Sequence, residues 1–385
     1  VEQSRRLKIM PIDVLKGIES LECGWLSKVL QTRVTGFDTA EIVGEGYASR
    51  MYRLSLHYAD GQVGPESLIL KLATVNAAQE NLHEVATLFR EVNFYAGPAA
   101  KLQEVIPKVY FSSGNENNMQ LTILMEDLGL IPHKPFKETL ENSIKAMQAI
   151  AKVHATYWND PILKDKQYDA IESAVELDSI VKLAQDSMKA EQQAAYSYPY
   201  LNKCMHHVVK LAKWMINEGN HLKGDLTLIH GDFHARNIHF LTNKNQGNHL
   251  QEKDVVIFDW QTAERGNPVR DVVYWILTSV PAEDQVNFKE PLIRAYLDGL
   301  RASGIKNYGR KQFDQQYLDA VSPLIPRLYC YQELIEVGEN EEHIIPEFLD
   351  RTELMAKSIH YLAAVRVMRV FMPIYISILR LLGKR

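Results

Sequence analysis

Between Glu41 and Leu72 the chain alternates apolar and polar residues and breaks at glycines, a pattern that a β-strand satisfies and a helix does not. Glu41-Ile42-Val43 runs into Gly44-Glu45-Gly46, and Arg50 to Tyr58 alternates in strand fashion. Asp60-Gly61 signals a turn, after which Ser67-Leu68-Ile69-Leu70-Lys71-Leu72 reads as the next strand. From about Gln79 to Tyr95 the period lengthens, and Leu82, Val85, Phe89 and Val92 fall on one helical face. Lys108 to Phe111 and Leu121 to Met125 then suggest a further strand pair around the loop Ser113-Gly114-Asn115. A small antiparallel sheet with one inserted helix accounts for the first third of the chain.

Beyond Asp127-Leu128-Gly129 the pattern is mostly helical. Ile144, Met147, Ile150, Ala151 and His154 mark the buried face of a long helix over Leu140 to Trp158, and a Lys- and Gln-rich helical stretch follows to about Asp225. Only Asn237 to Leu241 and Asp254 to Asp259 resemble strands; the remainder reads as helices broken at Pro281, Pro291, Pro323, Pro326 and Pro373. A chain of 385 residues exceeds the usual size of a single core. The expectation is an α+β fold with an N-lobe over 1–125 and a helical C-lobe over 126–385, joined near Glu126 to Gly129.

A formal net charge of −5 gives no global basic footprint and argues against a nucleic-acid partner, although a few local cations can still hold a phosphate. Cys23, Cys204 and Cys330 form no CxxC pair or Cys/His metal spacing, so free thiols in a reducing cytoplasm are expected. The first residues lead into no apolar run of the kind a secretory signal needs. Val370 to Leu382 is largely apolar but too short to span a bilayer, and it contains Arg380. No integral membrane segment is expected. A helix packed on the protein's own core is the favoured reading there, with a membrane-surface helix flanked by Arg366, Arg369, Lys384 and Arg385 as the alternative. The oligomeric state is not legible.

Phosphoryl transfer to a hydroxyl needs nucleotide positioning, metal-borne charge neutralisation and a carboxylate beside the attacking oxygen. The segment Ile229 to Asp259 offers the last two. Asp232 precedes Asn237 by five positions, and Asp259 closes the strand Val255-Val256-Ile257-Phe258. In a loop–strand–turn–strand arrangement Asp232 would face the acceptor hydroxyl, while Asn237 and Asp259 would offer hard oxygen ligands to Mg²⁺.

The ordered series His230-Gly231-Asp232 with Asn237, Ile257-Phe258-Asp259, Gly266-Asn267-Pro268 and Asp271 resembles the aminoglycoside phosphotransferase/choline kinase superfamily. With Met125-Glu126-Asp127-Leu128 and Phe89-Arg90-Glu91-Val92-Asn93-Phe94-Tyr95, the chain further resembles the ecdysteroid-kinase-like branch, over about Ile42 to Trp275. The resemblance implies a protein-kinase-like two-lobe fold, a catalytic base at Asp232, metal ligands at Asn237 and Asp259, and a buried, loop-organising Asp271. ATP and Mg²⁺ are the implied cofactors. His-Gly-Asp stands where protein kinases have His-Arg-Asp, Phe-Asp-Trp replaces Asp-Phe-Gly, and no Ala-Pro-Glu closes an activation loop. The expected partner is therefore a small-molecule hydroxyl acceptor.

The first lobe would supply the nucleotide side. Gly44-Glu45-Gly46-Tyr47-Ala48-Ser49 can cover phosphate oxygens with backbone N–H groups, so Gly44, Gly46 and Ser49 are candidates, although Gly pairs also occur in ordinary hairpins. Lys71 lies in an apolar strand, where a buried ammonium needs a partner; Glu91 is the first choice and Glu84 its competitor. That pair would hold Lys71 against the α- and β-phosphates, as in related kinases. Backbone groups from Glu126 to Leu128 would meet the adenine edge, with Met125 beside it; the alternative is a core Met125 and a solvated turn.

Two rival readings remain at this level. His230, His234 and His239 with Asp232 invite a metallohydrolase, but they match no defined zinc pattern. His230 is better read as hydrogen-bonding the loop, and His234 and His239 as loop or surface residues. A non-catalytic nucleotide-binding module on the same fold is the other rival. His154 reads as a satisfied core histidine, Tyr274-Trp275 as core, and Trp260 equally as a wall of the acceptor site or as packing. Tyr329, Tyr331, Glu333 and Glu336 are acceptor-site candidates, although solvated helix faces look the same.

Overall fold

The computed structural model describes residues 14–42, 49–73, 82–115, 120–129, 134–169, 182, 185, 186, 189, 198–215, 224–241, 254–330 and 343–381. Gly44 and Gly46 of the expected phosphate loop, and Tyr331, Glu333 and Glu336, lie outside them. The chain divides into two compact units, one of residues 1–133 and 239–262, the other of 134–238 and 263–385.

The first unit is built on a five-stranded antiparallel sheet in the order β1-β2-β3-β5-β4. Its strands are β1 (Val34–Ile42), β2 (Ser49–Tyr58), β3 (Ser67–Ala73), β4 (Val109–Asn115) and β5 (Gln120–Glu126). β3 is central and buried along its length, and the period of two divides its side chains between the two faces. Leu68, Leu70 and Leu72 pack with Leu54, Leu56 and Leu124 against Leu26 of α1 (Cys23–Leu30). Each such leucine contributes about 1.5–3 kcal/mol by leaving water. Ile69 and Lys71 fall by alternation on the other face, where α2 (Leu82–Ala96) brings Glu91. β1 begins earlier than its pattern suggests because it is an edge strand with mostly exposed side chains, which leaves no alternation to read.

Ser113-Gly114-Asn115, expected as a loop, belongs to β4 and pairs with β5. A Cβ built on Gly114 would stand 2.5 Å from the Phe89 ring of α2, so the missing side chain is what lets helix and strand close together. Gly114→Ala is accordingly expected to cost about 1–3 kcal/mol by overpacking. Measured by urea unfolding, the cost should be less than additive with that of Phe89→Leu, which clears the contact.

Residues 239–262 join this unit through main-chain bonds, the Ile257 N–H donating to the Val105 carbonyl at 2.7 Å. The units therefore differ from a simple division at 125/126: the first interval reaches 133, and the hairpin of β7 (Ile238–Phe240) and β8 (Val255–Ile257) adds to it.

The second unit is mainly helical. α3 (Leu140–Thr156) starts at Thr139, whose hydroxyl accepts from the Asn142 N–H at 3.2 Å, and packs along α6 (Gln285–Ala302). α4 (Pro199–Met215), α7 (Arg310–Val321), α8 (Leu324–Tyr329), α9 (Ile344–Ser358) and α10 (Tyr361–Leu381) follow the same helical logic. The site-forming part is the short ladder of β6 (Thr227–Ile229) with β9 (Glu264–Gly266). β6 runs directly into His230, and β9 leads through Asn267 into α5 (Val269–Ser279). Pairing these strands sets the first turn of α5 beside the loop after β6. The α+β class expected from the sequence is the class observed.

Candidate functional site

The first unit holds a buried charged cluster. Lys71 is buried in β3 and its ammonium contacts Glu91 Oε2 at 2.6 Å and Asp259 Oδ1 at 3.7 Å. Glu91 is thus the partner of Lys71, and the Glu84 side chain lies outside the described residues. Burial alone would lower the Lys71 pKa, but the two carboxylates outweigh it and raise it, so the ammonium keeps its proton. Burial, followed by the charge of Asp259, pushes the Glu91 carboxyl up against the opposing pull of Lys71.

Asp259 takes a left-handed conformation, φ 62°, which aspartate tolerates better than bulky residues. The turn is pinned by Trp260, whose indole N–H donates to the Ile257 carbonyl at 3.1 Å and whose ring stacks on Phe94 at 4.1 Å. Trp260 is fully buried, so of its two readings packing is the observed one. Asp259 Oδ1 is buried and has no hydrogen-bond partner among the described residues. A buried carboxylate oxygen is seldom left so. Asp259 Oδ1, in ion-pair range of Lys71 but beyond hydrogen-bond reach, is a hard oxygen that suits a divalent ion such as Mg²⁺.

The connection after β5 is braced by Asp127. Its carboxylate receives Arg53 Nε at 2.6 Å, the Ser67 hydroxyl at 3.0 Å and the Gly129 N–H at 2.9 Å. Met125 is half-buried and pairs in register with Ile69 and Val109. The Glu126 N–H is engaged by the Lys108 carbonyl at 2.9 Å, and Leu128 is buried. Ser49, half-buried, begins β2 opposite Ala73.

The second unit holds a carboxylate clamped by donors. Asp232 Oδ1 accepts from the Tyr274 hydroxyl at 2.6 Å. Its Oδ2 meets Asn237 Nδ2 at 3.2 Å and His234 Nε2 at 3.2 Å. His234 Nδ1 accepts from the Arg236 N–H at 3.2 Å, which leaves the ring proton on Nε2, facing Asp232. Burial works to raise the Asp232 carboxyl, but His234, the Tyr274 hydroxyl and Arg327 outweigh it and hold it well below the usual carboxylate range. Asn237 spends its amide nitrogen on Asp232, donating to its carbonyl at 3.0 Å as well, which leaves Oδ1 as its ligand atom.

The loop is shaped from beneath. Asp271, in the first turn of α5, accepts the His230 N–H at 2.7 Å and the Gly231 N–H at 3.0 Å. Gly231 has φ 83°, a conformation that glycine supplies without a Cβ penalty. His154 is buried as expected but also braces Asp271, contacting its Oδ2 at 3.1 Å and the Tyr296 hydroxyl at 2.9 Å. Against its burial, these bonds and the His230 N–H hold the Asp271 carboxyl low. His230 Nδ1 accepts from the Asp232 N–H at 3.3 Å, the loop role expected of it. His230 and His234 are thus both engaged by hydrogen bonds within the loop. Among the described residues no group of three or more His, Cys, Asp or Glu side chains is arranged to hold a metal ion. Tyr329, an acceptor-site candidate, is buried with its hydroxyl on Asn202.

Two residues contribute to the site in ways that their sequence pattern does not display. Tyr274 is buried, as its core pattern predicts, yet its hydroxyl reaches Asp232; the signal for this in the sequence is its i+3 relation to Asp271 on one helical face. His234 lies in the loop, as expected, and its Nε2 meets Asp232 Oδ2, so the His-x-Asp-x-His spacing brings the two together in a hydrogen bond. Tyr274→Phe removes a bond to a charged group and is expected to cost about 1.5–3 kcal/mol, read as a lower urea midpoint at unchanged slope.

A model of the ecdysteroid kinase-like family matches residues 43–306. A comparison with curated proteins found no match. Among solved structures, the chain is similar to a choline kinase from Cryptosporidium parvum Iowa II, at 10% identity over 86% of this chain and 90% of that one, with a TM-score of 0.47. It is also similar to an aminoglycoside-3'-phosphotransferase of type VIII, at 15% identity over 74% and 93%, with a TM-score of 0.41. A microcompartment-associated aminopropanol kinase aligns at 11% identity over 85% and 94%, with a TM-score of 0.44.

Proposed function

The chain belongs to the ecdysteroid kinase-like family, and from that premise we propose that it transfers the γ-phosphoryl group of ATP to a hydroxyl of a small-molecule acceptor. The observation that carries the reading is the Lys71–Glu91–Asp259 cluster. A purely structural core gains little from burying an ammonium between two carboxylates, one of them met only at 3.7 Å, whereas a nucleotide site uses each of these groups.

In this reading Lys71, fixed by Glu91, positions the non-transferred phosphates. Gly44, Gly46 and Ser49 supply backbone donors to the phosphates, and Met125, Glu126 and Leu128 supply the adenine contact. The Glu126 N–H already serves Lys108, so Leu128 is the better candidate for the donor. Asp259 and the Asn237 side-chain oxygen would hold Mg²⁺, which when bound neutralises charge on the phosphate oxygens.

Asp232 orients the acceptor hydroxyl. As the oxygen–phosphorus bond to the acceptor forms and the bond between the γ-phosphorus and the β,γ-bridging oxygen breaks, the hydroxyl proton passes to the Asp232 carboxylate. Because phosphoryl transfer needs little activation of the nucleophile, a carboxylate held ionised and in place suffices. Tyr274, His234 and Asn237 keep it so. The departures from the protein-kinase motifs favour a small acceptor over a protein. An ATP-consumption screen over hydroxylated metabolites, with Asp232→Asn as the blank, tests the reading; equal turnover by both proteins with every acceptor would sink it.

A further inference from the structure

The last described helix, α10, has one side committed and another that is not. Tyr361 and Val365 are buried, and the Tyr361 hydroxyl donates to the Ser322 carbonyl at 3.0 Å. Beyond Val365 the side chains emerge into solvent: Val367 is 55% exposed, Met368 38%, Val370 60% and Phe371 61%. Other large apolar side chains that are exposed among the described residues, such as Val63, Val286 and Leu318, lie far apart in sequence. Val370 and Phe371, the first residues of the apolar stretch expected to pack on the protein's own core, are exposed, and the side chains after Phe371 lie outside the described residues.

At 100° per residue, Val367, Val370 and Phe371 share the side of α10 opposite Val365. The sequence continues Ile374, Ile378 and Leu381 at the same three- and four-residue spacing. Arg366 borders this apolar row on one side, and Arg369 lies further round toward Val365, where it touches His207 of α4 at 3.4 Å.

Charge decides the occupant. Lys357 is paired with Glu353, but from Ser358 to Arg385 the chain carries Arg366, Arg369, Arg380, Lys384 and Arg385, and not one Asp or Glu, within a protein whose net charge is −5. We propose that this face of α10 docks on the surface of an anionic lipid membrane, lying in the interface with its apolar row among the upper acyl chains and its arginines at the headgroups. Val367, Val370 and Phe371 lose water there, and the cations meet lipid phosphates and carboxylates. A second copy fits worse, because a two-fold pairing of this face sets Arg366 and Arg369 near their own copies with no acid in the segment to offset them. Docking does not require insertion: among the described residues no helix is long and apolar enough to cross a membrane. The proposal goes beyond the phosphotransfer reading and does not depend on it.

The test is co-sedimentation of the full chain with large unilamellar vesicles of phosphatidylcholine alone and of an equal mixture of phosphatidylcholine and phosphatidylserine. Binding to the mixed vesicles only, weakened by added salt, is expected. Arg366→Glu with Arg369→Glu should weaken it about tenfold or more, as should Val370→Ser with Phe371→Ser. Phe371→Trp provides a reporter that needs no loss of function; its emission should shift to the blue on the mixed vesicles. Absence of sedimentation and of the fluorescence shift overturns the proposal. So does a concentration-dependent dimer, in analytical ultracentrifugation without lipid, that Val370→Ser with Phe371→Ser dissolves, since a second copy would then cover the face.

Discussion

Replacing Asp232 by Asn is expected to lower kcat by about 10²–10⁴-fold, the range over which a positioned acid–base group contributes, while nucleotide affinity stays close to that of the unaltered protein. Asn is nearly isosteric with Asp but cannot take the acceptor's proton. Its amide also conflicts with the site. Tyr274 can still donate to one oxygen, but the other position would carry an NH₂ group facing Asn237 Nδ2 and His234 Nε2, which are donors as well. The expected signature is a loss in kcat with MgATP binding retained, because Lys71, Glu91 and Asp259 are untouched. Isothermal titration with a non-hydrolysable ATP analogue, beside steady-state kinetics, separates the two effects. A variant that turned over normally would remove Asp232 from the chemistry.

Lys71→Met is the second large effect, and it falls on stability as well as on activity. It leaves Glu91 and Asp259 facing each other without their cation in a buried setting, where breaking an ion pair from one side costs about 3–5 kcal/mol. The pH dependence has a definite sign. The Glu91 carboxyl is already raised by burial, and removing the ammonium takes away the strongest opposing pull, so it rises further. A group whose folded pKa lies above its unfolded value stabilises the fold below the unfolded value, about 4.3 for Glu, and that contribution is lost as pH rises through the folded value. The variant's deficit relative to the parent should therefore be small in mild acid and grow toward neutral pH, as read from urea midpoints across that window. Lys71→Met with Glu91→Leu should regain much of the stability and none of the activity. Recovery of both would make the ion pair merely structural.

The parts of the molecule that a sequence displays and those that it hides differ for physical reasons. Lys71 was legible because an ammonium in an all-apolar strand must have a partner, and Glu91 lies on the adjoining helical segment; the 2.6 Å contact realises that requirement. Central strands announce themselves because both faces are buried, as β3 does. β1, an exposed edge, and α1, with only Leu26 fully buried, carry little pattern. The extent of the first unit is not legible, because the bond from Ile257 to the Val105 carbonyl joins residues far apart in the chain, and main-chain bonds leave no trace in side-chain periodicity. Tyr274 was hidden by its chemistry. Its ring belongs to the core and only its hydroxyl belongs to the site, so an aromatic among Val272, Val273 and Trp275 looked like packing alone. Trp260 is the converse case, a residue beside Asp259 whose task is to fix the turn.

The most direct test follows the phosphorus. The protein is incubated with Mg²⁺, ATP carrying ¹⁸O on the γ-phosphoryl group, and a pool of hydroxylated small molecules, with Asp232→Asn in parallel, and the products are resolved by mass spectrometry. The phosphotransfer account predicts a phosphoester that carries the label, forms with the unaltered protein, requires Mg²⁺ and is lost in Asp232→Asn. Labelled ester formed equally by both proteins, or ATP bound by the unaltered protein with no label ever reaching an acceptor, would contradict it.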